Sequence, residues 1–168
     1  MMHDRRYETL ESGEARENST EELVKRYRID VMQMARYLPW LAEHAGRQVS
    51  DTYQNENMSH TIPFPVYDST LLSFVKEFQR TGLVDRNYAY VYSRNRLRSA
   101  EDERRFIEQA TIKNMKDLAG ILSRYVVEGN VRGAVWTEGV SNGVLHAALT
   151  KMKEIIEFWG KEAKDIRA

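Results

Sequence analysis

Three apolar stripes constrain this chain more than any other feature. In the first, Leu23, Tyr27, Val31, Met34, Leu38 and Leu41 follow one another at steps of three and four. Ile112, Met115, Ala119, Leu122 and Val126 form the second, and Leu145, Ala148, Leu149, Met152, Ile155, Ile156 and Trp159 the third. Such spacing gathers each set on one side of a helix. A helix with one apolar side must cover it, and so little of the chain has strand character that the cover has to be other helices. The expected fold is mostly α, a compact bundle of five or six helices.

Local signals mark where these helices start and stop. Ser19 and Glu22 have capping-box spacing and open the first helix, leaving residues 1–18 as a polar arm and 19–168 as one helical domain. Pro39 lacks an amide and disfavours helix at Leu38, which predicts a kink or break there, with a short continuation ending at Gly46. From Arg47 to Pro65 the periodicity disappears, and Ile62, Phe64 and Tyr67 read as anchors pressed onto the core. Asp68 caps a helix over Ser69 to Thr81, stopped by Gly82, with Leu71, Leu72, Val75 and Phe78 inward. Ser99 opens the next helix, with Glu101, Asp102 and Glu103 at the positive end of its dipole. Thr111 caps a further helix that closes at Gly129, unless the two run on as one long bent helix. A helical turn over 134–138 precedes the last helix, capped by Ser141 or Asn142.

The strand material lies in Leu83 to Tyr92, where Tyr88, Tyr90 and Tyr92 alternate with Ala89 and Val91. Its best partner is Asn130 to Val135, giving one short two-stranded β-ribbon; the alternative is an extended loop.

Composition bounds the function. The 168 residues fit a single domain. Lysine plus arginine equals aspartate plus glutamate at 25 each, so the formal charge is zero, which argues against a dedicated polyanion binder. There is no cysteine, which excludes disulfides, thiolate metal ligands and thiol nucleophiles. Met1-Met2-His3-Asp4-Arg5-Arg6 lacks the apolar run of a signal peptide, and no stretch approaches the roughly 18 apolar residues of a membrane span. The expected location is the cytoplasm, with no membrane contact.

Chemistry-bearing patterns are sparse. His3, His44, His60 and His146 have no ligand-type neighbours at metal-binding spacing, so each reads as structural. No phosphate-binding or nucleophile-elbow motif appears, and Gly139-Val140-Ser141-Asn142-Gly143 reads as a turn and cap. No cofactor is expected. The most suggestive segment, 86–98, interleaves Tyr88, Tyr90 and Tyr92 with Arg94, Arg96 and Arg98. Rings stack on bases and arginines take phosphates, so it suits single-stranded nucleic acid or a protein partner, although the acids at 101–103 oppose the field. Trp40, Phe64, Tyr67, Tyr88 and Trp136 are candidates for an aromatic cluster. Trp136, Glu138 and His146 are candidates for a ligand pocket, and a hydrolase reading would draw its acid–base groups from Asp85, Glu138 and His146.

Phe64-Pro65-Val66-Tyr67, Asp85-Arg86-Asn87-Tyr88 and the turn Val127-Glu128-Gly129-Asn130-Val131-Arg132-Gly133 lie ahead of a closing Leu-containing helix. In that order they resemble an uncharacterised domain-of-unknown-function family of small bacterial and phage proteins, over roughly residues 62–152. The family's turn reads Arg-Gly-Glu-Arg-Phe; here the glycines match, while Glu128 and Asn130 stand where the family has arginine and an acid. The resemblance implies no activity and no site residue, and points to a phage or mobile-element setting. The expected function is a non-enzymatic interaction or regulatory domain that binds a protein partner or its own copies. One version is an inhibitor of a host defence complex. Met32 and Tyr53 are of the residue types favoured at interfaces. The alternative is a nucleic-acid-binding protein using segment 86–98.

Overall fold

The structure is a computed structural model. It describes the backbone over residues 5–47, 50–53 and 64–167, and side chains over 20–47 and 67–160. Among the described residues it is a mostly α, compact helical bundle. Helix α1 (Arg5–Met34) is followed by a 3-10 turn (Ala35–Tyr37) and α2 (Leu38–His44). Then come α3 (Ser69–Phe78), α4 (Tyr88–Arg94), α5 (Ala100–Gln109), a second 3-10 turn (Ile112–Asn114), α6 (Met115–Gly129), α7 (Ala134–Ser141) and α8 (Val144–Arg167). Strands β1 (Ser50–Tyr53) and β2 (Phe64–Tyr67) form a short antiparallel pair with Ser50 opposite Tyr67.

The three stripes meet as expected. Tyr27, Val31, Met34 and Leu41 are buried from the first stripe, all five residues of the second, and Leu145 through Ile156 of the third. Helix α8 packs on α1, α2, α5, α6 and α7, which makes it the central strut, while α6 also carries α4 and α7. Glycine lets the aromatic side chains come this close: a Cβ at Gly129 would collide with the Trp136 indole, and one at Gly139 would lie 2.7 Å from the Tyr125 ring.

Several boundaries follow their signals. The first stripe breaks where Pro39 predicts, and Pro39 then sits in the first turn of α2, where its missing amide costs nothing. Gly46 has φ +81° and its amide donates to Ser141 O at 2.7 Å. Asp68 accepts from Thr70 N at 2.7 Å, Ser99 from Asp102 N, and Asn142 from Val144 N. Thr111 and Asn114 form a reciprocal capping box that separates α5 from α6, so the two are not one bent helix.

Other expectations are corrected. Ser19 does not begin α1, which runs unbroken from Arg5; the arm's arginines and glutamates are adequate helix formers, and the helix continues through them. Residues 1–4 lie outside the described residues. Leu72 faces outward at 43% exposure and Phe74 takes the inward place. Helix α7 continues past Gly139 to Ser141.

The ribbon between 83–92 and 130–135 does not form. Tyr88 to Arg94 is helical and Asn130 to Gly133 is the turn between α6 and α7. The alternation of tyrosines has the period of a strand, but Val91 is the residue the core takes, at 3% exposure. A helix delivers that single residue inward while placing Tyr88 and Tyr92 together one turn apart, and tertiary packing overrides the β preference of tyrosine and valine.

Candidate functional site

The segment 86–98 folds around one buried carboxylate. Glu103, in the first turn of α5, is 1% exposed. It accepts hydrogen bonds from Tyr92 Oη of α4 at 2.6 Å and from Tyr125 Oη of α6 at 2.7 Å. Arg124 Nη1 lies 3.6 Å from the same carboxylate, and the Arg124 guanidinium covers the rings of Tyr92 and Tyr125 at 5.2 and 4.9 Å. Asn142 Nδ2 completes the set by donating to Tyr125 Oη at 3.0 Å. Burial raises the hydroxyl pKa of both tyrosines, and the charge of Glu103 raises them further, so both remain protonated donors.

A second buried carboxylate anchors the other side of α4. Asp117, 2% exposed on α6, pairs with Arg94 and accepts from Asn95 Nδ2 and Asn114 Nδ2, each at 3.3 Å. The segment leading into α4 is tied down as well, since buried Ser123 Oγ accepts from Asp85 N at 2.8 Å and donates to Ala119 O. Among the described residues no buried side-chain nitrogen or oxygen lacks a partner. Helix α4 has seven residues and would be marginal alone; these bonds and the contact of Val91 with Gly120 hold it.

A cleft of about 290 Å³ opens between α4 and the start of α5. Tyr88, Ala89 and Tyr92 form one wall, Arg98 and Ser99 the other, with Leu97, Arg124 and Glu128 completing it. Glu128 lies 3.5 Å from Arg124 Nε, and burial followed by the Glu128 charge raises the Tyr88 hydroxyl pKa. Asp102 accepts the Arg98 amide and Glu101 pairs with Arg105 within α5.

The structure therefore divides the predicted contact residues. Tyr88, Tyr92 and Arg98 converge on the cleft. Tyr90 points away at 58% exposure with the Arg94 guanidinium 5.7 Å from its ring centre. Arg96 is exposed in a left-handed conformation, φ +55°, closing the turn after α4. Arg86, Arg96 and Arg98 form no ion pair with another described residue. The continuous strip of three stacking rings is not present, because helical geometry sends Tyr90 to a different side from Tyr88 and Tyr92. Glu103, Tyr125 and Arg124 escaped sequence reasoning; the residue-type signal was an acid in the first turn of a helix, which has a sufficient explanation in the helix dipole.

The other candidates stay apart. Trp136 Nε1 donates to Val126 O at 2.9 Å and its ring meets Tyr67 edge-on at 5.5 Å. Glu138 is exposed, and His146 lies 3.5 Å from Thr150 Oγ1 on its own helix. No hydrogen bond joins Trp136, Glu138 and His146, or Asp85 to either of the last two, among the described residues. Trp40 stacks on His44 at 4.3 Å rather than joining Tyr67 and Trp136, and the Phe64 side chain lies outside the described residues, as do His3, His60 and Tyr53's side chain. Among the described residues no group of three metal-ligand side chains occurs, and no helix is long and apolar enough to cross a membrane. Compared with family models, with curated proteins and with solved structures, the chain matches none.

Proposed function

We propose that this is a non-enzymatic recognition domain that binds a protein partner through the face formed by α4, the turn after it and the start of α5. One observation carries the reading. Glu103, Tyr92 and Arg124 are turned inward onto one another and Asp117 is turned inward onto Arg94, Asn95 and Asn114, while Tyr90, Arg86, Arg96 and Arg98 are left outside on a hydrogen-bonded support. Tyrosine and arginine are residue types that dominate contact energy at interfaces, and a support that needs no reordering lowers the entropic cost of docking. The resemblance to small bacterial and phage proteins favours a phage or mobile-element setting, with a host defence complex as one class of partner. The test is affinity capture from cell extract with mass spectrometry, run on the native chain and on the double variant Arg96→Glu/Arg98→Glu. A partner retained by the native chain and lost by the variant supports the reading; equal recovery by both refutes this surface.

A second reading, nucleic-acid binding, draws support from the inward turn of Glu103. The acids expected to oppose the arginines are partly withdrawn, since Glu103 is buried and Glu101 is paired with Arg105. Binding to labelled oligonucleotides that weakens steeply with salt, and that loses slope in the same double variant, would favour it over the first.

A further inference from the structure

Resting on the contact reading of this face, we infer that the cleft between α4 and α5 receives one aromatic side chain from an acidic segment of the partner, whose carboxylates meet Arg96 and Arg98. Size comes first. About 290 Å³ is at the lower end of ligand cavities, enough for one large side chain and too small for a folded element. The wall is made of rings at positions 88 and 92, one helical turn apart, and between them Ala89 offers no more than a methyl group, so the space is open where a ring would enter. Leu97, 8% exposed, supplies an apolar base. Aromatic rings in such a setting favour an edge-on or offset-stacked aromatic occupant.

Charge then decides the chemistry around that anchor. Of the two arginines that line the cleft, Arg124 is already answered, because it lies between Glu103 and Glu128. A ligand anion therefore gains little beside Arg124. Arg98 on the opposite wall, and Arg96 two residues before it in the turn, are the reverse: both are exposed and have no ion-pair partner among the described residues. A neutral ring within and carboxylates outside match both halves. A nucleic-acid strand fits less well, since successive bases need successive rings and the third tyrosine, Tyr90, faces elsewhere.

The experiment titrates the isotope-labelled full chain with the capped peptide Asp-Glu-Trp-Glu-Asp and follows backbone amides by two-dimensional NMR. Saturable shifts are expected over 88–99 and 124–128. They should weaken about tenfold in Arg96→Glu/Arg98→Glu. They should vanish in Ala89→Trp, which fills the cleft from an exposed position and leaves the core alone. If Asp-Glu-Ala-Glu-Asp binds as tightly at the rim, the aromatic anchor is wrong while the contact face stands. If Lys-Lys-Trp-Lys-Lys binds as well, the acidic requirement is wrong. Shifts confined to another surface, or tighter binding of an oligothymidylate to the same amides, overturn the inference; the first also removes the proposed face, and the second replaces the protein partner by nucleic acid.

Discussion

Glu103 is a carboxylate with almost no access to water, and burying such a charge is tolerable when donors surround it. Two tyrosine hydroxyls and an arginine do so here, one from α4 and two from α6. Removing the charge while keeping the shape, by Glu103→Gln, leaves Arg124 short of a partner and sets an amide against two hydroxyl donors. A loss of about 3 kcal/mol in unfolding free energy is expected from urea denaturation. The tyrosines add a pH dependence. Burial and the Glu103 charge hold the Tyr92 hydroxyl above its ordinary 10.0, so its contribution to stability is complete below that value and declines as pH rises beyond it. Thermal melts across the alkaline range should show that decline in the native chain and a shallower one in Tyr92→Phe. Neither effect was readable in the sequence, since it shows an acid at the fourth position of a helix but not the two hydroxyls, 11 and 22 positions away, that turn it inward.

At the scale of elements, α1 and the 3-10 turn after it are joined to α3 by a clamp at Glu77, which accepts hydrogen bonds from Gln33, Arg36 and Tyr37. Burial alone would raise the Glu77 carboxyl pKa, but these donors outweigh it and hold the group below its ordinary 4.5. A lowered carboxylate pKa means stability present above that value and lost as pH falls below it. The melting temperature should therefore drop below about pH 4.5, and Glu77→Gln should flatten that part of the profile. Helix starts were legible at Asp68, Ser99, Thr111 and Asn142, where a capping side chain is written into the chain, but not at Ser19, where α1 is already under way. Helix α4 was not legible. Its tyrosines and valine have the period of a strand, and what makes it a helix is distant: Asp117 holding Arg94, Glu103 holding Tyr92, and the bare Gly120 where Val91 seats. The same period hides the candidate site, because a strand places the three tyrosines on one face and a helix separates them.

For the whole molecule, the stripes of α1, α6 and α8 were enough to predict a mostly helical bundle, since few other arrangements bury three such faces at once. They could not show that the polar residues between them would be sorted, with Glu103, Asp117 and Ser123 drawn inside to fasten the connecting segments and arginines left on the rim. That sorting is what supports the proposal of binding through the α4–α5 face. Its most direct test is amide hydrogen exchange on the chain alone and on the complex it captures. Slowed exchange concentrated in residues 86–99, with α8 unchanged, is the predicted result. Protection confined to α2, α7 or α8, with the α4–α5 face exchanging as freely as before, would contradict it.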